Sequence, residues 1–121
     1  MRQEITTLGS GLQYFDYRHS DGALVGLGSQ VRVHYQVTLD LQSVGKGPWV
    51  DDSWKRESPV TFVIGAGQVI KGVDEGIVGM RVASERCLII PPGLAFADRG
   101  VPDRIPPNTT LAFQLYVVMI V

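Results

Sequence analysis

Between Val31 and Leu39 every second residue is apolar: Val31, Val33, Tyr35, Val37 and Leu39 alternate with Arg32, His34, Gln36, Thr38 and then Asp40. A period of two with a polar opposite face predicts a half-buried β-strand over 31–40. The same rhythm returns in Val60, Phe62 and Ile64, behind Pro59, a residue that suits the first position of a strand. It returns once more over 110–121, where Leu111, Phe113, Leu115, Val117 and Met119 share one face and the second face is also mostly apolar. Two further strands are predicted over 12–18, which carries Tyr14, Phe15 and Tyr17, and over 82–90, which Pro91-Pro92 closes.

One segment departs from that period. Val69, Val73, Ile77 and Met80 recur at helical spacing and predict a helix over 69–80. Gly72, Gly76 and Gly79 make it too weak to persist alone in water, so it has to lie on a sheet, where its glycines allow close approach. Residues 1–10 read as a tail, 42–48 as a loop, and 93–108 as a long loop with no element of its own. Long loops inside compact domains are usually functional or disordered. Strands, one short helix and strands again describe an α+β fold, an antiparallel sheet curving around a single helix within one domain over 11–121.

Composition narrows the function. The chain has 121 residues, 45% of them hydrophobic, enough for an ordinary core. Its 11 Lys and Arg against 12 Asp and Glu, without a basic block, argue against nucleic acid and anionic membranes as main partners. A lone Cys87 and two histidines leave no basis for an internal disulfide or a metal centre, and no cofactor is implied. The first residues lack an apolar leader. The compartment stays open, with the cytoplasm as the default and an organelle lumen as the alternative if a targeting segment has been removed; a monomer is the default state.

Conventional catalytic patterns fail. Gly65-Ala66-Gly67 lies between a strand and the helix, but Gly65, Gly67 and Gly72 lack dinucleotide spacing and no Gly-Lys-Ser/Thr follows. Ser53, His34 and Asp51 can be written as a triad, yet no nucleophile elbow surrounds Ser53, and His34 reads as a solvated surface residue. Cys87 reads as a packed thiol.

The motifs Val33-His34-Tyr35, Val50-Asp51-Asp52-Ser53, Pro59-Val60-Thr61-Phe62, Gly67-Gln68-Val69-Ile70-Lys71-Gly72, Gly79-Met80, Ile105-Pro106-Pro107-Asn108 and Leu111-Ala112-Phe113 occur in order. Together they resemble the FK506-binding-protein family of peptidyl-prolyl isomerases over nearly the whole chain. The resemblance implies a five-stranded antiparallel sheet wrapped around one short helix, with a proline pocket between them overhung by the loop over 93–108. It assigns catalytic positions to Tyr35, Asp51, Phe96 and Phe113. Substrate-binding positions fall on Val50, Arg56, Val60, Val69, Ile70, Val73 and Ile105, with the Ile70 N–H donating to a ligand carbonyl and Arg56 paired with Asp51.

Several positions depart from the family. Val73 stands where the pocket floor is usually tryptophan, Val50 where a phenylalanine precedes the aspartate, and Phe96 where a tyrosine hydroxyl binds a ligand carbonyl. Arg104 replaces a frequent hydrophobic contact, Val101 a frequent histidine, and Gln68 a frequent acid. Trp49 and Trp54 are the residues that could swing in to replace the missing indole. The expected activity is isomerisation of X-Pro bonds in peptides and folding proteins, reduced in rate, with weak binding of FK506- or rapamycin-type macrolides. The alternative is a protein-binding module on the same scaffold with little or no catalysis.

Overall fold

A computed structural model describes residues 4–39, 41 and 48–121; Asp40 and most of the expected loop over 42–48 lie outside them. The order of elements is β1 (Thr6–Thr7), β2 (Gln13–Arg18), β3 (Gln30–Thr38), β4 (Asp51–Asp52), β5 (Val60–Val63), α1 (Lys71–Gly76), β6 (Glu85–Ile90) and β7 (Leu111–Ile120). The strands form one antiparallel sheet in the order β1-β2-β6-β7-β3-β4, with β5 also paired to β3.

Seven strands stand where five were expected, for two physical reasons. Thr6 and Thr7 pair with Tyr14 and Gln13, so part of the expected tail is a short hairpin arm. Along the other edge β4 pairs with Gln36 and Val37 while β5 pairs with residues 30–33. The two share one edge of β3 as an interrupted strand, and a two-residue strand such as β4 is too short to show alternation.

Alternation fails at one place in β7. Val33 lies opposite Val117 but Arg32 lies opposite Met119, so the register shifts at Val118. A bulge of this kind reverses the faces beyond it. Met119 therefore leaves the inner face expected for it, is 39% exposed, and lies beside the Arg32 guanidinium.

The helix is shorter than its apolar spacing, spanning Lys71–Gly76 with Ile70 before it and Ile77 after it. Gly79, at φ +89°, turns the chain away. Close approach to the sheet is real: a Cβ on Gly72 would meet Ile90 Cγ2 at 2.5 Å and one on Gly76 would meet Leu88 Cδ2 at 2.6 Å. Arg86, buried on the same face of β6, closes the end of the helix. Its Nη1 donates to the carbonyls of Gly76 at 2.8 Å and Val78 at 3.2 Å, and its Nε donates to Asp16 at 2.6 Å. Its guanidinium also lies 4.1 Å from the Tyr14 ring centre. Apolar strand spacing gave no sign of that buried cation. Val31, Val33, Leu88, Leu111, Leu115 and Val117 from the sheet meet Val73, Ile77 and Met80 to form the core.

Candidate functional site

The sheet curves away from the helix at one end and leaves a cavity of about 290 Å³ between β3, β7, the start of α1 and the segment over 93–108. Tyr35, Val50, Asp51 and Val60 come from β3 and its split edge, Phe113 from β7, and Val69, Ile70 and Val73 from the approach to the helix and its first turns. Phe96 and Ile105 come from the long connection. Of the eleven positions singled out from sequence, ten line this space. Arg56 stands outside it and reaches in only through its partners.

The polar corner of the cavity is tightly bonded. The Tyr35 hydroxyl donates to Asp51 Oδ2 at 2.8 Å, and Arg56 donates to both Asp51 Oδ1 and, at 2.9 Å, the Tyr35 oxygen. The Asp52 N–H adds a further donor to Asp51 Oδ1 at 2.9 Å. With both carboxylate oxygens occupied, Asp51 acts as a fixed anchor for the phenol and the guanidinium. The Tyr35 ring stacks on Phe113 with centres 5.3 Å apart, which fixes one aromatic wall.

Val69 and Ile70 sit just before the helix because the loop ahead of it is pinned from inside. Asp74, in the first turn, accepts from the Gly65 N–H at 2.7 Å and the Gly67 N–H at 3.1 Å. The Gly65-Ala66-Gly67 turn thus binds the protein's own carboxylate. Ile70 is extended, at φ −58° and ψ 149°, and its carbonyl accepts from Val73 and Asp74. Among the described residues nothing accepts from its N–H.

The segment over 93–108 is more ordered than its sequence indicated. A 3-10 turn spans Pro92–Leu94, and Val101 and Ile105 exchange backbone hydrogen bonds of 2.8 Å. The Asn108 N–H then ties to the Ala97 carbonyl at 2.7 Å. These local bonds hold Phe96 and Ile105 over the cavity.

Two expectations need correction. His34 is not a solvated surface histidine: it is half-buried, its Nδ1 lies 2.9 Å from Ser53 Oγ, and Trp54 stacks on it at 3.8 Å. Burial lowers its pKa from the ordinary histidine value, with Asp52 opposing. Ser53 is fully buried and its Oγ accepts from the Tyr35 N–H at 2.7 Å, so it staples β3 to the turn and has no access to a substrate. Trp54 lies against His34 and Tyr116 on the outer side of the sheet, and neither it nor Trp49 lines the cavity. No indole replaces Val73 on the floor. Arg104, singled out only as a departure, does line the cavity.

Comparison with known proteins adds a context to this geometry. A family model described as FKBP-type peptidyl-prolyl cis-trans isomerase matches residues 23–118. The chain is 46% identical over 91 residues to "Peptidyl-prolyl cis-trans isomerase FPR2" of Saccharomyces cerevisiae, covering 75% of this chain and 64% of that protein. It is 42% identical over 91 residues to "FK506-binding protein 2" of Dictyostelium discoideum, covering 75% and 65%. The chain therefore spans just under two thirds of the length of these relatives. The crystal structure of AtFKBP13 superposes with a TM-score of 0.83 at 33% identity, over 98% of this chain and 99% of that one.

Proposed function

The chain belongs to the FKBP-type peptidyl-prolyl cis-trans isomerase family, and from that premise we propose that it catalyses rotation about X-Pro bonds in peptides and folding proteins. The observation that carries this reading is an apolar cavity of about 290 Å³ whose lining includes the Ile70 N–H, from which no described group accepts a hydrogen bond.

An amide resists rotation because nitrogen shares its lone pair with the carbonyl, giving a barrier of about 18–20 kcal/mol. Uncatalysed X-Pro exchange therefore takes roughly tens to hundreds of seconds. Twisting ends the sharing and leaves a less polar carbonyl and a pyramidal nitrogen. A dry wall of aromatic and aliphatic side chains favours that state over the planar, dipolar one. The prolyl ring lies over Val73 between Tyr35, Val69 and Phe113. The Ile70 N–H donates to a substrate carbonyl and fixes one end of the bond while the other turns. Asp51 and Arg56 hold Tyr35 in place, and Val50, Val60, Phe96 and Ile105 exclude water. Removing about 5 kcal/mol from the barrier gives a thousand- to ten-thousand-fold acceleration without nucleophile or base.

Rate and ligand affinity are both reduced in this reading. Val73 offers far less contact than an indole, a loss of about 1–3 kcal/mol. Phe96 lacks a hydroxyl, a loss of about 1 kcal/mol. Macrolides of the FK506 and rapamycin class are expected to bind weakly. The same two residues support a second reading, a module that holds proline-containing segments without turning them over. A protease-free proline-switch assay separates the two: acceleration at micromolar protein is expected, and none would leave only the binding module.

A further inference from the structure

Apart from Asp51, whose charge Arg56 meets, the only charged side chain lining the cavity among the described residues is Arg104. No described carboxylate lies within 4.0 Å of its guanidinium, and no described group accepts a hydrogen bond from it. Its backbone is nevertheless held. The Arg104 N–H donates to the Val101 carbonyl at 3.0 Å, inside the turn that Val101 and Ile105 close from both sides. A second depression of about 330 Å³ adjoins the cavity and shares Val101, Arg104 and Ile105 with it. Arg99 and Asp103 are its other charged residues, and Asp103 forms no ion pair with either arginine among the described residues. Two guanidinium groups against one carboxylate leave that depression positive.

We infer that Arg104 makes this site selective for peptides that carry a carboxylate side chain directly beside the proline, an inference that rests on the prolyl-pocket reading above. In this proposal the residue beside the proline leaves the cavity along the wall of Val101, Arg104 and Ile105, the part of its lining that continues into the positive depression. A glutamate or aspartate there accepts a forked pair of hydrogen bonds from the guanidinium, an interaction that a point-charge lysine cannot imitate. A lysine on the substrate meets repulsion. Because Arg104 is exposed, the preference is modest, about two- to fivefold.

The test uses two sets of short peptides with Glu, Gln or Lys, one set before the proline and one after it. Cis–trans exchange and amide-shift binding titrations are measured by NMR on the same samples. Expected is an order Glu over Gln over Lys in one set, collapsing at about 0.5 M salt where screening is felt within about 4 Å. Arg104→Glu should invert the Glu-to-Lys ratio, and Arg104→Lys should keep its sign with a smaller value. Equal ratios in both sets overturn the inference and leave isomerisation standing. A Glu-over-Lys binding order without any acceleration upholds the inference and overturns catalysis. Absence of both binding and acceleration overturns both.

Discussion

The Tyr35 hydroxyl donates to Asp51 Oδ2 at 2.8 Å, and that bond joins β3 to its broken edge strand at the polar corner of the cavity. Arg56 completes the triangle by donating to both partners. One aromatic wall of the cavity is thus oriented by an ion pair that stands half outside it.

Tyr35→Phe removes the bond at both its ends and leaves the ring stacked on Phe113. We expect stability to fall by about 1 kcal/mol and kcat/KM on a proline peptide to fall about fivefold. Urea midpoints and exchange rates check the two effects separately. An unchanged kcat/KM would show that the phenol has no part in orienting substrate.

The floor of the cavity can be rebuilt. Val73→Trp combined with Phe96→Tyr restores the ring and the hydroxyl that the resemblance leads one to expect. Macrolide affinity should rise at least about tenfold, and kcat/KM should rise with it. Titration calorimetry with FK506 and exchange spectroscopy are the measurements. No gain in either would remove Val73 and Phe96 as grounds for expecting a weak site.

Helix and sheet meet too closely for a methyl group at Gly72. Gly72→Ala gains about 1 kcal/mol of helix propensity but drives its Cβ to 2.5 Å from Ile90 Cγ2, within a core where Ile90 is fully buried. Overpacking of that kind costs about 1–3 kcal/mol, so a net loss of about 1 kcal/mol is expected in urea unfolding.

Cys87 is fully buried and desolvation pushes its thiol up to about 12, while Tyr17 nearby is raised in the same direction, chiefly by burial. The folded state therefore keeps protons that the unfolded chain gives up. The stability this represents is fully present below about pH 9, the ordinary thiol value, and is lost progressively as pH rises from there toward 12. Urea midpoints should be flat from pH 7 to 8.5 and then fall. Cys87→Ala should make the early part of that fall shallower.

Much of this architecture was legible in a period of two. The inner residues of β3, the middle of β7 and the cluster around Val73 and Ile77 follow from alternation and helical spacing alone. Long-range pairing decided the rest. The bulge that exposes Met119 depends on which residue of β3 faces it, which no local pattern encodes. The same holds for β4, fixed by two pairs to Gln36 and Val37. Arg86 was not legible, because its partners Asp16 and the end of the helix come beside it only in the folded chain. Ten of the eleven positions expected from the resemblance line one cavity; composition and local periodicity carry no such long-range contacts. Trp54 went astray for a reason of parity: it follows the turn at Ser53 onto the outer side, beside His34.

Catalysis at this cavity depends on the Ile70 N–H engaging a substrate carbonyl. A nitrogen-15 NMR titration with a Leu-Pro peptide, read together with its cis–trans exchange, tests it directly. The Ile70 amide should shift downfield in parallel with Tyr35 and Phe113 while exchange accelerates in proportion to protein added. Unmoved Ile70 and Phe113 amides with exchange at the uncatalysed rate, or shifts confined to Trp54 and Tyr116 on the opposite face, would contradict it.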